Sequence, residues 1–179
     1  MIERMVRAAQ LDNTLYDEVE HDTALTSQAL QIVVLVSALA ALGSAIGSLL
    51  GGNAAGVIIT VIIGILQALI GWAVWSFATY LVGTQLFGGS ATYGELLRTI
   101  GYAYTPGILA VFSFIPVLGG LLTLIGGIWT LVTGVIAVRQ ALDFTTGKAI
   151  VTILVALIPV FFVVLILSLP LAALQTAAS

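Results

Sequence analysis

Long apolar runs alternate with short polar links along most of this chain, and only the first 22 positions depart from that scheme. There, Ile2, Met5, Val6 and Ala9 fall at helical spacing, Leu11, Leu15 and Val19 continue in steps of four, and the opposite face is acidic. The pattern predicts an amphipathic helix over residues 1–22. An anionic helix gains nothing from anionic lipid, so it is expected to pack on the protein's own inner face. Asp22 is placed to cap the helix that follows, where a carboxylate can take free backbone N–H groups.

The apolar runs at about 30–50, 54–82, 96–115, 120–141 and 149–169 match or exceed the ~20 residues that cross the hydrocarbon of a bilayer. The predicted fold class is therefore all-α: an integral membrane bundle of five transmembrane helices behind an N-terminal amphipathic helix. Two units follow, a cytoplasmic lead (1–22) and a five-span membrane domain (23–179). Gly51-Gly52-Asn53 predicts a tight antiparallel return, Gly83 to Tyr93 a polar loop, and Pro116 to Gly119 a second tight turn. Pro106 lies inside the third run. It has no N–H, so the carbonyl of Tyr102 loses its helical partner and a bend is expected there. Pro159 sits in the middle of the fifth run and Pro170 at its exit.

Composition forces the membrane reading. Only 7% of the residues are charged, against about 25% in a soluble domain. That is too little polar surface to coat a water-soluble particle, so lipid must be part of the solvent. Glycines recur at 43, 47 and 51 and at 120, 127 and 134, and stripes of small residues let membrane helices approach closely. The absence of cysteine excludes disulfides and thiolate metal sites. A net charge of −3 without a basic stripe argues against nucleic acid as a partner. Arg4, Arg7, Arg98, Arg139 and Lys148 all fall on one side of the predicted topology, which marks that side as cytoplasmic. The N-terminus is then inside and the C-terminus outside. The acidic lead lacks the basic start of a signal peptide, so it is expected to be retained.

Candidate chemistry concentrates between Tyr93 and Pro106. Glu95 and Arg98 stand at the mouth of the third run, on the same side as Arg139, Asp143 and Lys148 and the acids Asp17, Glu18 and Glu20. These charges suit a docking surface for a partner or a lipid headgroup. The simpler reading is ion pairs that anchor helix ends. Gln67, Tyr102, Tyr104 and Pro106 would suit a cavity like those of transporters with broken helices, or a packed kink. His21 with Asp17 and Asp22 lacks ligand spacing, so no metal is expected. No nucleophile elbow, P-loop or zinc-protease motif occurs, and no acid lies inside a span; neither enzymatic activity nor a cofactor is expected.

The run Tyr-Gly-Glu-Leu-Leu-Arg-Thr-Ile-Gly-Tyr-Ala-Tyr-Thr-Pro (93–106), the turn Phe-Ile-Pro-Val-Leu-Gly-Gly (114–120), Ile-Trp-Thr-Leu (128–131) and Val-Arg-Gln-Ala-Leu-Asp-Phe-Thr-Thr-Gly-Lys-Ala-Ile (138–150) together resemble the Yip domain family. So does Tyr16 to Asp22 ahead of the first run. The resemblance implies five spans and a cytoplasmic N-terminal region. Eukaryotic members interact with Rab-type GTPases; this chain lacks a long cytosolic region and is similar to the prokaryotic members, which argues against a GTPase partner and for a cytoplasmic membrane. In the family, acids before the first span and a basic residue in the membrane block matter, here Asp17, Glu18 or Glu20 and Arg98, Arg139 or Lys148. The expected function is that of a non-catalytic accessory or scaffold subunit, or a membrane organiser, whose partners are the bilayer and other membrane subunits or further copies of itself. The alternative is a small-solute transporter or channel.

Overall fold

The computed structural model of the chain describes residues 1–52 and 57–177, all helices and turns with no strand among them. Two short helices, α1 (Ile2–Ala9) and α2 (Asn13–His21), precede α3 (Thr26–Leu50), α4 (Val57–Leu81), α5 (Tyr93–Ala103), α6 (Leu118–Ala141) and α7 (Thr146–Ala177). A 3-10 segment, Thr105–Phe114, continues α5 toward α6. Four stretches are long and apolar enough to cross a membrane: Thr23–Leu50, Val57–Leu86, Leu118–Ala141 and Thr146–Ile166. Most of their outward side chains are apolar, including Ile58, Leu121, Leu154 and Phe161, as lipid favours.

The lead differs from the expected single helix. Leu11 adopts a left-handed φ of 63°, which stops α1 and folds the chain into a hairpin. Asp12 then caps α2, its Oδ1 accepting from Thr14 N–H at 2.9 Å. The hairpin does pack on the protein: Leu15, Tyr16 and Val19 have no exposed surface. Asp22 caps the next turn as expected, accepting from Ala24 N–H at 2.9 Å.

Pro106 does more than bend its helix. The α-helix ends at Ala103, and the chain continues as a tighter 3-10 coil because Gly107 N–H bonds back to Tyr104 O at 2.9 Å. Two carbonyls are thereby released, and hydroxyls take both. Thr105 Oγ1 donates to Tyr102 O at 2.7 Å, and Thr133 Oγ1 of α6 donates to Ala103 O at 2.8 Å. Together α5 and the 3-10 segment run alongside α3. A Cβ on Gly101 would lie 2.8 Å from Ala29 Cβ, one on Gly107 3.1 Å from Val36, and one on Gly47 3.5 Å from Phe114. That interval of α3, from Ala29 to Gly47, is about 27 Å long.

Other boundaries shift. The expected loop from Gly83 is shorter, since α4 runs on through a π-turn, Val82–Leu86. α7 passes Pro159 and Pro170 unbroken to Ala177, beyond the expected exit. One missing N–H is tolerable where lipid favours every other helical bond. The return at Gly51-Gly52 is present, with Gly52 at φ 79°. Asn53 and the expected start of the second span lie outside the described residues.

The glycine stripes are used unequally. A Cβ on Gly43 would overlap the carbonyl oxygen of Val111, so α3 abuts the 3-10 segment at backbone distance. Gly51 meets only its own helix. On α6, Gly120 and Gly127 face open space, contrary to expectation, and the close contacts fall one residue earlier, at Gly119 and Gly126. Gly134 does pack closely, 3.1 Å from Trp75.

Candidate functional site

The stretch from Tyr93 to Pro106 is the junction of the bundle. Its helix starts with a capping box: Thr92 N–H donates to Glu95 Oε2 at 2.9 Å and Glu95 N–H to Thr92 Oγ1 at 3.3 Å. Glu95 is thus first a helix cap. Toward α4, Tyr93 OH donates to Ala73 O at 3.3 Å, and Trp72 Nε1 donates to Leu97 O at 3.0 Å. Toward α3, Tyr102 OH donates to Gln28 Oε1, an oxygen that Arg4 also approaches at 3.4 Å.

Arg98 faces the hairpin. It is only 5% exposed, and its Nε donates to Val19 O at 2.9 Å while a second nitrogen donates to Glu20 O. Its third nitrogen reaches Thr26 Oγ1 at 3.5 Å. Those carbonyls are among the last of α2, whose C-terminal end carries partial negative charge, so a guanidinium is the natural group to bind there. No carboxylate lies within ion-pair distance of Arg98 among the described residues. Its charge is balanced by helix carbonyls.

The remaining cations complete the attachment. Arg139 donates to Asn13 Oδ1 at 2.7 Å, and Trp129 Nε1 donates to Ala9 O at 2.8 Å, so α6 holds both hairpin helices. Within the hairpin Arg4 pairs with Glu18 at 2.8 Å, and Arg7 with Asp12 at 2.7 Å and Glu18 at 3.2 Å. Hydrogen bonds from Thr14 and then Arg7 lower the Asp12 carboxyl to about 2. The bond from Arg4 holds Glu18 below its ordinary value. Lys148 stands apart, its ammonium 5.3 Å from the Phe144 ring centre. Asp17 and Asp143 remain exposed.

Glu20 is the outlier. Its side chain is 13% exposed, and Oε2 is buried without a hydrogen-bond partner among the described residues. Burial first, with further pushes from the Asp17, Asp143 and Glu95 carboxylates, raises its carboxyl to about 7 against the opposing pull of His21. Asp17, Glu20 and His21 place potential ligand atoms within 4.8 Å of one another. His21 is 74% exposed and its Nδ1 is already 2.8 Å from Asp17 O, so the trio reads as helix-end chemistry.

The kink residues separate from this group. Tyr104 packs against Trp75 with ring centres 5.9 Å apart, whereas Gln67 lines a small apolar cleft with Gly71, Val74, Val160, Val163 and Val164. Trp75 Nε1, Ser76 Oγ and Thr79 Oγ1 on α4 are buried without partners among the described residues. Sequence reasoning missed Asn13, Thr26, Gln28, Thr105, Trp129 and Thr133. Thr105 had a readable signal: a threonine just before Pro106 and three positions after the carbonyl that proline orphans. The rest are single polar side chains whose partners lie far away in sequence.

A profile of the Yip1 domain matches residues 14–168. The chain belongs to the Yip1 domain family. No curated protein and no solved structure matches it. The Yip1 domain match begins inside α2, so the Arg98 contacts to Val19 and Glu20 lie wholly within it, whereas α1 precedes it.

Proposed function

We propose that this Yip1 domain protein is a non-catalytic membrane protein that acts through contacts at its inner end, as an accessory or scaffold subunit of a larger assembly or as an organiser of the membrane. The observation that carries this reading is the buried Arg98 clamp. It fixes the N-terminal hairpin against the bundle and so makes one rigid polar face from residues far apart in sequence. Most of the cations there are used internally, while the acids Asp17 and Asp143 stay exposed to a partner. α5 and its 3-10 extension serve as the fifth crossing beside the four long helices, since they run the depth of α3. Gathering of Arg4, Arg7, Arg98 and Arg139 at one end supports an inside N-terminus and an outside C-terminus in a prokaryotic cytoplasmic membrane. Partners are other membrane subunits or further copies of the chain, within lipid; neither a nucleic acid nor a GTPase is invoked, and no cofactor is needed.

Purification from native membranes followed by mass spectrometry of the accompanying chains tests this. A stable larger complex is expected. Recovery as a lone monomer that moves a solute in liposomes would overturn it.

One observation favours the second reading, a small-solute transporter or channel. Trp75 Nε1, Ser76 Oγ and Thr79 Oγ1, without partners among the described residues, lie on α4 at or just after the point where Trp75 stacks on Tyr104. Flux in liposomes that disappears in Tyr104→Phe or Gln67→Leu would support it.

A further inference from the structure

Among the contacts that hold the hairpin to the bundle, those at its last residues carry the Glu20 carboxyl into a buried seam. Arg98 fixes the Glu20 backbone by its carbonyl, which leaves the Glu20 side chain little freedom to escape the seam. Oε1 lies 3.4 Å from His21 Nδ1, whereas Oε2 is buried and unpartnered among the described residues. The charged and titratable groups facing it come from every neighbouring element. α2 contributes Asp17 and His21, α5 contributes Glu95 and Arg98, and the α6–α7 link contributes Asp143. Arg98 spends its donors on main-chain oxygens and Thr26, and Glu95 accepts from Thr92 N–H. An ionised Glu20 therefore sits half-desolvated among three other carboxylates, with one oxygen unsatisfied. A neutral Glu20 has no charge to desolvate or repel there, and an ionised one on an undocked hairpin is solvated by water.

We propose that docking of the N-terminal hairpin is a protonation-controlled latch with the Glu20 carboxyl as its titrating group: closed when Glu20 is protonated, loosened when it is ionised. The direction follows from linkage. A carboxyl whose pKa is raised in the docked state contributes stability that is fully present below its ordinary value and is lost as pH rises through the docked value. For Glu20 that loss is complete only above about 7. Over the interval the docking equilibrium falls by about tenfold per pH unit, on the order of a hundredfold in all. His21, also raised, chiefly by its bond to Asp17 O and next by Glu20, acts in the same sense and is lost as pH rises. The latch rests on the same docked hairpin as the scaffold reading, but its test needs no partner, so the two can fail separately.

The absence of native cysteine allows a direct test. Spin labels at Glu3→Cys on α1 and Thr146→Cys at the start of α7, both exposed positions, report the hairpin-to-bundle distance in lipid nanodiscs at pH 5.5, 7.0 and 8.5. With native Glu20 the distribution is expected to be narrow at pH 5.5 and to gain a broad, longer component at pH 8.5. Glu20→Gln should remove most of the longer component, leaving only the smaller His21 contribution, and His21→Gln should retain most of the transition. Asp143→Asn removes one facing acid, makes an ionised Glu20 less costly in the docked state and should shrink the longer component at pH 8.5, which keeps the proposal testable if Glu20→Gln fails to assemble. A distribution indifferent to pH with native Glu20, a transition undiminished in Glu20→Gln, or a longer component at pH 8.5 undiminished by Asp143→Asn overturns the latch.

Discussion

The guanidinium of Arg98 reaches back 79 positions in sequence to donate to the main-chain oxygen of Val19 at 2.9 Å. A buried cation is normally costly without a carboxylate partner; Arg98 has none among the described residues, and helix-end carbonyls supply the compensation. Arg98→Ala should strip those carbonyls of their donor and cost about 3 kcal/mol of hairpin docking, since hydrogen bonds to charged groups are worth about 1.5–3 kcal/mol each. Arg98→Lys should recover only part of this, because one ammonium cannot reproduce a fork. Amide exchange over residues 13–21 reads both, with faster exchange expected there and little change in α7.

The glycines of α6 offer a matched pair. A Cβ on Gly126 would lie 2.9 Å from Pro106 O and 3.2 Å from Leu109 Cβ, whereas one on Gly127 meets nothing within 4 Å. Gly126→Ala should lower the unfolding temperature, with backbone displacement costing about 1–3 kcal/mol. Gly127→Ala should be neutral or slightly stabilising, since alanine is the better helix former. Thermal unfolding in one detergent compares them.

The hydroxyls under the break at Pro106 carry a separate cost. Thr133→Val keeps the shape but leaves Ala103 O without its donor, and Thr105→Val does the same to Tyr102 O. Each should destabilise by about 1–3 kcal/mol, the penalty of an unmade buried hydrogen bond. Thr123→Val on the same helix, whose hydroxyl bonds only Gly119 O within its own turn, should cost less.

Strain is stored at the turn into α6. Val117 has φ 64° and ψ −57°, and its side chain is 92% exposed. A β-branched residue rarely adopts this conformation, and no packing offsets it. Val117→Gly should stabilise by about 1 kcal/mol, seen as a raised unfolding temperature.

Closure of the hairpin itself, α1 on α2, should weaken in strong acid. Asp12 and Glu18 have lowered values from their bonds to Thr14, Arg7 and Arg4, so their contribution is present above the ordinary carboxylate range and lost as pH falls toward about 2 for Asp12. With Glu20 acting in the opposite direction, exchange protection of α2 should peak in mild acid. Asp12→Asn should erode the acid limb alone.

Much of this architecture was legible in the chain. Apolar run lengths located the long helices, Asp22 announced a cap, and the acidic face of the lead argued for packing on the protein. Proline chemistry located the break at Tyr102. Less legible were the features set by rotation and distance. Lipid-facing and core-facing sides of α6 are equally apolar, so no pattern distinguishes Gly119 and Gly126 from Gly120 and Gly127. Leu11 carries no turn signal, since leucine seldom adopts a left-handed φ, and the hairpin bend could not be read. The expectation of ion pairs concerned Glu95, Arg98, Arg139, Asp143 and Lys148, none of which forms one among the described residues; the pairs found lie within the hairpin, those of Arg4 and Arg7 among them. It missed Arg98, whose partners are backbone atoms that exist at every position and so leave no mark in the sequence.

Contact at the inner end is the central claim, and cross-linking in native membranes tests it most directly. Photoreactive residues placed at Asp17 and Asp143 on the exposed inner face, and at Val117 on the opposite turn, are activated in cells and the adducts identified by mass. The account predicts discrete protein adducts from the two inner positions in clear excess over Val117. Equal labelling from all three, or lipid adducts alone at the inner positions, would contradict it.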